Sequence, residues 1–132
     1  MRLLLDSHFC FWLALKPDAI SAGELAAIVE PDNDIAFPSV AIWELRIKWE
    51  KRFVSGERKG EASPEDVLRY LRSAEILSVD LTSEFAAAAL HIAMQHSDPF
   101  DRLLLTIAQE TGRKLLTRDD KLRGHPLAYH AG

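Results

Sequence analysis

The sequence predicts an α/β layer fold with a mainly parallel sheet. Residues 3–5 form a short apolar run without polar alternation, as expected of a strand that is buried on both faces. Other short strand patterns recur along the chain, and helical patterns with start and stop signals lie between them. Strands that alternate with helices are typical of parallel sheets covered by helices.

In the first half of the chain, capping residues and prolines set the bounds of the elements. The helix predicted over Ser7–Leu15 ends before Pro17, because a residue that precedes proline avoids helical geometry. Ser21 and Glu24 form a capping-box pattern at the start of a second helix. The elements predicted next are a strand over 34–38 that ends on a proline, a helix capped by Ser39 that runs to about Val54, and a polar loop over 55–62.

In the second half, two helix starts carry strong signals. Ser63 is predicted to cap a helix with Pro64 at its first position and acidic residues in its first turn. Asp98 is predicted to cap the helix that Pro99 opens and that stops at Gly112. The other predicted elements are a strand over 76–81, an Ala-rich helix from Thr82 to about His96, and strands over 114–117 and 127–129.

Length, charge and cysteine content restrict the class of protein. A chain of 132 residues has the length of one domain, so we expect a single domain over residues 1–132. The single cysteine, Cys10, excludes an intramolecular disulfide and fits a reducing compartment. Because no apolar run approaches the ~20 residues that span a bilayer, we expect a cytoplasmic protein without a membrane segment. A formal net charge of −4 is unusual for a nucleic-acid binder, unless local charge or a metal compensates for it.

Four acidic residues fall where parallel sheets place their ligand sites. Asp6 directly follows the first strand, and Asp119 lies just past the strand over 114–117. Glu44 and Asp101 lie early in their helices. Because the carboxyl ends of parallel strands share one edge with the helices that follow, we expect these four carboxylates to converge there.

The chemistry of this acidic set favours a divalent cation. Helical spacing places Glu44 between Val40 and Leu45, on an apolar face where a carboxylate is costly unless it is paired or bound to a metal. Asp101 also shares its face with apolar residues. A cluster of carboxylates without cysteine or paired histidine ligands selects hard cations, so we expect Mg²⁺ or Mn²⁺, which act with phosphates.

Each acid also has a purely structural explanation. These explanations are Asp98 as an N-cap, Asp101 folded back on that cap, Glu44 paired with Lys48, Asp6 as a turn or cap residue, and Asp119 or Asp120 at the start of a short helix. The predicted convergence of the four acids on one edge favours a site.

Four segments, taken together, resemble the PIN-domain family. They are residues 3–8, 39–45, 96–104 and 115–119, of which the block over 98–102 is the most specific. The resemblance covers nearly the whole chain, and it is closest to the toxin half of VapBC-type toxin–antitoxin modules.

This resemblance implies a compact three-layer α/β/α domain and a ribonuclease that depends on Mg²⁺ or Mn²⁺. By motif matching, the catalytic and metal-binding residues are Asp6, Glu44, Asp101 and Asp119, with Asp120 as the competitor of the last. The supporting residues are Ser7, Thr117 and Asp98. The implied partners are an RNA substrate, a cognate antitoxin protein and a second copy of the chain in a homodimer. The implied reaction is hydrolysis of a phosphodiester by an activated water.

Basic residues beside the predicted site are candidates for contact with RNA. Residues 46–59 carry an excess of positive charge in an acidic chain. The candidates are Arg46, Lys48, Lys51 and, next to Asp101, Arg102. The other basic residues of the segment are Arg52, Arg58 and Lys59. A solvated helix face with internal ion pairs is an equally good explanation of the basic segment, and Arg102 fits either a phosphate contact or an ion pair.

Two other functions fit part of the pattern. Asp6 at a strand end could act as the nucleophile of a phosphatase-type hydrolase, although position 8 carries His where such enzymes usually have a second Asp, and the chain lacks a glycine-rich phosphate loop. The second alternative is a non-enzymatic PIN-like module that binds RNA or a partner. The presence of all four acids argues against a degraded site.

Overall fold

In the part of the chain that the structure describes, a five-stranded parallel sheet forms the centre of the protein. The structure is a computed structural model that describes residues 1–51, 54–57, 63–95 and 97–132. The strands are β1 (Arg2–Leu5), β2 (Asp34–Pro38), β3 (Leu77–Val79), β4 (Lys114–Leu116) and β5 (Ala128–Tyr129), and they lie in the order β3-β2-β1-β4-β5. Every strand pair is parallel, which confirms the predicted α/β class.

Helices cover both faces of the sheet and complete the three layers. They are α1 (Ser7–Leu15), α2 (Ala22–Val29), α3 (Ser39–Glu50), α4 (Pro64–Ser73), α5 (Ser83–Ala87) and α6 (Pro99–Glu110). Helices α1, α3 and α4 contact one another on one face, and α5 and α6 contact each other on the opposite face. None of the helices in the described ranges has both the length and the apolar character needed to cross a membrane.

The central strand β1 carries the core on both of its faces. Leu5 packs with Phe9 and Phe37 beneath α1, whereas its neighbour Leu4 packs with Leu105 and Leu115 beneath α6. All six side chains are fully buried. Consecutive residues of a strand point to opposite faces, so an uninterrupted apolar run is the pattern that a strand between two helical layers requires.

The helix predicted to run from residue 39 to about Val54 ends earlier, at Glu50. Lys51 already has extended backbone geometry, and Val54 is fully exposed. An amphipathic helix is stabilised mainly by burial of its apolar face. The helix ends early because the apolar pattern of the sequence continues beyond the part of the chain that a core can bury. Most of the polar loop predicted over 55–62 and the basic residues Arg52, Arg58 and Lys59 lie outside the described residues.

The Ala-rich helix predicted from Thr82 to about His96 is also shorter, because α5 ends at Ala87. The backbone that follows is satisfied by tertiary contacts: Gln109 accepts from His91 N at 2.8 Å and donates to Ala89 O at 2.9 Å. These bonds replace helical hydrogen bonds. They outweigh the helix propensity of alanine, which is the highest of any residue but amounts to less than about 1 kcal/mol per residue. His96 itself lies outside the described residues.

The capping predictions are confirmed at some helices and wrong at others. Ser21 with Glu24 forms the capping box of α2, and the Asp98 side chain caps α6. Ser39 is instead the first residue of α3, after Pro38, and its hydroxyl accepts from Leu81 N at 3.1 Å. Ser63 precedes α4 as predicted, but its hydroxyl donates to the Glu65 carboxylate instead of capping the helix.

An ion pair between the buried Glu24 and the half-exposed Arg118 ties α2 to the chain that leaves β4. Arg118 Nε donates to Glu24 Oε2 at 2.9 Å, and Nη2 donates to Glu24 Oε1 at 2.5 Å. The same carboxylate accepts from Ser21 N at 2.8 Å. The hydrogen bonds from Arg118 are the main cause that lowers the pKa of Glu24 to about 2, against a buried environment that acts to raise it.

This pair predicts a specific dependence of stability on pH. A carboxylate with a lowered pKa stabilises the folded state fully above its unfolded pKa of 4.5, and that contribution is lost as the pH falls towards about 2. Substitution Glu24→Gln is therefore expected to lower the free energy of unfolding by about 1–3 kcal/mol at pH 7, and the difference from wild type should shrink between pH 4.5 and 2.

Denaturant unfolding across this pH range measures the effect. Glu65→Gln is the matched control, because Glu65 also pairs with an arginine, Arg46, but is exposed. It is expected to change stability by less than about 0.5 kcal/mol at every pH. A Glu24→Gln effect that does not vary with pH would contradict the assignment to the ion pair.

Candidate active site

All four predicted acids line one cavity of about 510 Å³. We call it the acid cavity; its other lining residues are Ser7, His8, Trp12, Leu104, Leu115, Thr117 and Arg118. Asp6 reaches it from the end of β1, Glu44 from α3, Asp101 from the first turn of α6, and Asp119 from the chain beyond β4. The parallel topology therefore brings these distant residues to the same edge of the sheet.

Asp6 is the most buried of the four acids, with 7% of its surface exposed. Its Oδ1 accepts from Phe9 N at 3.0 Å, so the residue also caps α1. Burial raises the pKa of Asp6, and the nearby Glu44 carboxylate adds to this rise. Hydrogen bonds from Phe9 N and the Thr117 hydroxyl act in the opposite direction without cancelling it.

The buried Thr117 hydroxyl links two of the acids. It donates to the Asp6 carboxylate and accepts from Asp119 N at 3.1 Å. Ser7, the first residue of α1, is also buried and lines the same cavity. Both hydroxyl residues predicted as supporting groups therefore lie within the lining of the acid cavity.

Glu44 occupies the partly apolar helix face that its spacing predicted. Val40 and Leu45 beside it are buried, and the Glu44 side chain is 20% exposed. Its Oε2 lies 3.8 Å from Lys48 Nζ, so the predicted ion pair along the helix is present as well. The structural and the functional explanations of Glu44 thus coexist.

Asp98, the N-cap of α6, and Asp101, in its first turn, lie three residues apart but have different surroundings. Asp98 is exposed, and its side chain accepts from Phe100 N at 2.8 Å and from Asp101 N at 3.2 Å. Asp101 is half-buried and lines the acid cavity, which Asp98 does not. Asp98 therefore caps the start of the helix that carries Asp101.

The same comparison separates Asp119 from Asp120. Asp119 lines the acid cavity, and its Oδ1 caps a short 3₁₀ helix (Asp120–Leu122) by accepting from Lys121 N at 3.0 Å. Asp120 is exposed and pairs with Arg123 at 3.0 Å. The geometry thus favours Asp119 as the fourth acid.

Two of the basic candidates lie away from the acid cavity. Arg46 pairs with Glu50 and Glu65 and lines a separate groove next to α4. Arg102 is exposed and lines a different cavity, beside residues 93–95 and Ser97. Lys48 pairs with Glu44, and Lys51 is exposed directly after α3. A contact of these four residues with RNA stays a prediction.

One lining residue, Arg118, was not a candidate from the sequence. It lies between Thr117 and Asp119, and this position at the end of β4 is the signal that could have identified it. Its guanidinium carbon lies 4.3 Å from the centre of the Trp12 ring, and Trp12 in turn contacts the ring of His8 at 5.5 Å. The cavity therefore has an acidic part and a wall of aromatic and basic groups.

The donor set fits a hard divalent cation in its chemistry. All four acids offer carboxylate oxygens, which Mg²⁺ and Mn²⁺ prefer, and the raised pKa of Asp6 reflects a buried negative charge that a cation would compensate. Among the described residues, however, no three carboxylate, histidine or cysteine side chains are close enough together to hold one ion. The four acids therefore fit a divalent cation by the chemical type of their donor atoms and by the cavity that they share.

Comparison with known proteins identifies the family and the fold. Residues 3–126 match the family described as PIN domain. The chain is 32% identical over 126 residues to Ribonuclease VapC22 of Mycobacterium tuberculosis (strain ATCC 25618 / H37Rv), with 93% of this chain and 91% of that protein covered. It also aligns with the solved structure of VapBC2 from Rickettsia felis bound to a DNA fragment from their promoter. The TM-score is 0.58 at 18% identity, over 97% of this chain and 96% of that one, which shows a shared fold. The predicted resemblance is confirmed, and the chain belongs to the PIN-domain family.

Proposed function

We propose that this protein is a metal-dependent endoribonuclease that hydrolyses RNA phosphodiester bonds. The observation that carries the proposal is the convergence of Asp6, Glu44, Asp101 and Asp119 on one cavity. The identity to a protein named as a ribonuclease supports the choice of RNA as the substrate. Carboxylates on the ligand edge of a parallel sheet suit a cation that binds phosphate.

In this proposal the acids hold Mg²⁺ or Mn²⁺ and the hydroxyl groups orient the acids. Asp6, Glu44 and Asp101 are the main ligands, with Asp119 as the fourth. A bound divalent ion supplies neutralisation of phosphate charge and a lowered pKa for water. The Thr117 hydroxyl fixes the Asp6 carboxylate through its hydrogen bond, and Ser7 lies beside it at the start of α1. Water is the nucleophile, so no side chain forms a covalent intermediate.

We also assign the protein to a toxin–antitoxin module of the VapBC type. The relative named VapC22 and the solved VapBC2 structure support this assignment. The partners are then a cognate antitoxin and a second copy of the chain. Trp43 is 56% exposed on α3 and contacts Phe100 at 5.8 Å between ring centres, which suits packing against another chain better than a place in the core. A cytoplasmic location is part of the same proposal, and the single cysteine, which fits a reducing compartment, supports it.

Cleavage of labelled RNA by the purified protein, free of antitoxin, tests the activity. Mg²⁺ or Mn²⁺ is expected to support cleavage, and EDTA to abolish it. Asp6→Asn and Asp101→Asn should each lower the rate at least about a hundredfold, because each removes a charged ligand at nearly constant volume. Asp66→Asn is the matched control: Asp66 is an exposed acid of α4 that pairs with Arg69, and its loss should leave the rate unchanged.

Thermal unfolding with added Mn²⁺ separates an inactive enzyme from a binding module. The ion should raise the melting temperature of wild type and of Asp66→Asn, but not that of Asp6→Asn or Asp101→Asn. If wild type gains no more from Mn²⁺ than the substituted proteins do, the metal site is wrong, and the non-enzymatic module becomes the better hypothesis.

The fourth acid can be tested within the same assay. Asp119→Asn is expected to reduce cleavage about tenfold or more, because Asp119 lines the acid cavity. Asp120→Asn should stay within about twofold of wild type, because Asp120 is exposed and pairs with Arg123. Larger loss in Asp120→Asn than in Asp119→Asn would reverse the assignment.

A further inference from the structure

Arg118 occupies an unusual electrostatic position in the acid cavity. Among the described residues that line this cavity, it is the only lysine or arginine beside four carboxylates. Its charge partner, Glu24, does not line the cavity but lies buried behind it in α2. The guanidinium is therefore held at the cavity wall by an anion that lies outside the cavity.

The guanidinium is fixed in orientation from two sides. One edge, formed by Nε and Nη2, donates to both oxygens of Glu24, and Nη2 also donates to Ala19 O at 2.7 Å. One face lies on the ring of Trp12, at 4.3 Å. Glu24 is itself fixed by the capping box with Ser21. Such a bidentate and stacked arrangement is specific to arginine and reduces the entropy lost when a further ligand binds.

The remaining amino group of the guanidinium, Nη1, is suited to bind an anion. Across the residues that the structure describes, Nη1 of Arg118 makes no hydrogen bond, and the side chain is 45% exposed. A charged N–H group of this kind forms a strong hydrogen bond with an oxygen of a phosphate. An RNA phosphate that approaches four carboxylates is repelled by them, so a fixed positive group at the wall favours its entry.

We propose that Arg118 binds a phosphate of the RNA strand within the acid cavity, with Nη1 donating to a non-bridging phosphate oxygen, and that Trp12 and Glu24 are its positioning residues. This inference rests on the proposed ribonuclease function. It assigns substrate binding to a residue outside the acidic set and explains why the aromatic wall lies beside the acids.

The test removes the phosphate contact without leaving a buried charge unpaired. Arg118→Ala alone would strand the buried Glu24 carboxylate and destabilise the fold. The informative comparison is therefore Glu24→Gln against the double variant Glu24→Gln/Arg118→Ala. Glu24→Gln/Arg118→Gln serves as a second variant that retains a polar pair if the alanine variant does not fold. Arg123→Ala is the matched control, because Arg123 also pairs with an acid, Asp120, but does not line the acid cavity.

Steady-state cleavage gives the first readout. Relative to Glu24→Gln, loss of Arg118 is expected to raise KM about ten- to a hundredfold, as loss of a charged hydrogen bond does, with a smaller change in kcat. Arg123→Ala should leave both constants unchanged. A double variant with the KM of its Glu24→Gln parent would overturn the inference and leave Arg118 as a structural partner of Glu24 only.

Salt dependence of RNA binding gives a readout that a structural role would not move. The probe is a short fluorescent single-stranded RNA, bound to proteins that also carry Asp101→Asn so that it is not cleaved. Loss of one phosphate contact should lower the slope of log affinity against log salt by about 0.7, whereas Arg123→Ala should not change it. An unchanged slope would overturn the inference. Wild type that neither cleaves nor binds RNA would instead refute the proposed function itself, so the two failures are distinguishable.

Discussion

The site depends on the parallel pairing of β1 with β2 and β4. Because these strands run in the same direction, the residues that leave them emerge at one edge of the sheet. Asp6 N donates to Leu116 O at 3.3 Å, so the alignment of the two chains persists one residue beyond β1 and brings Asp6 level with Thr117. A one-residue slip of this register would move Leu4 and Leu5 to the opposite faces of the sheet. Their packing against the two helical layers prevents such a slip.

Two buried carboxylates show how the surroundings decide the role of an acid. Glu24 and Asp6 are both almost inaccessible to solvent, but the pKa of Glu24 is lowered to about 2 and the pKa of Asp6 is raised. The difference is the arginine: Arg118 satisfies Glu24 with two hydrogen bonds, whereas at Asp6 the effect of burial exceeds the opposite effects of Phe9 N, His8 and Thr117. The paired acid strengthens the fold, and the acid without a cationic partner of this kind is the one suited to bind a metal.

Helix capping and site formation use the same side chains. Asp6 caps α1 through Phe9 N, and Asp119 caps the 3₁₀ helix through Lys121 N, while both line the acid cavity. A cap bond holds a carboxylate in one rotamer, and a ligand that is held in place in advance loses less entropy on binding. The structural explanation of an acid is therefore no evidence against its function, because the cap positions the functional group.

The sequence by itself determined the strands, most helix starts and the four acids. Those features depend on local rules, since uninterrupted apolar runs, prolines and capping residues act within a few positions. The early ends of α3 and α5 and the contact between Glu24 and Arg118 depend on burial and on partners distant in the chain. Arg118 shows the limit most clearly: next to Thr117 it is an ordinary charged residue, and only the packing of α1 and α2 against the end of β4 turns it into the fixed cation of the cavity wall. Tertiary structure determines this position, because an ion pair or a stacking contact contributes little free energy until the whole fold holds its two members together.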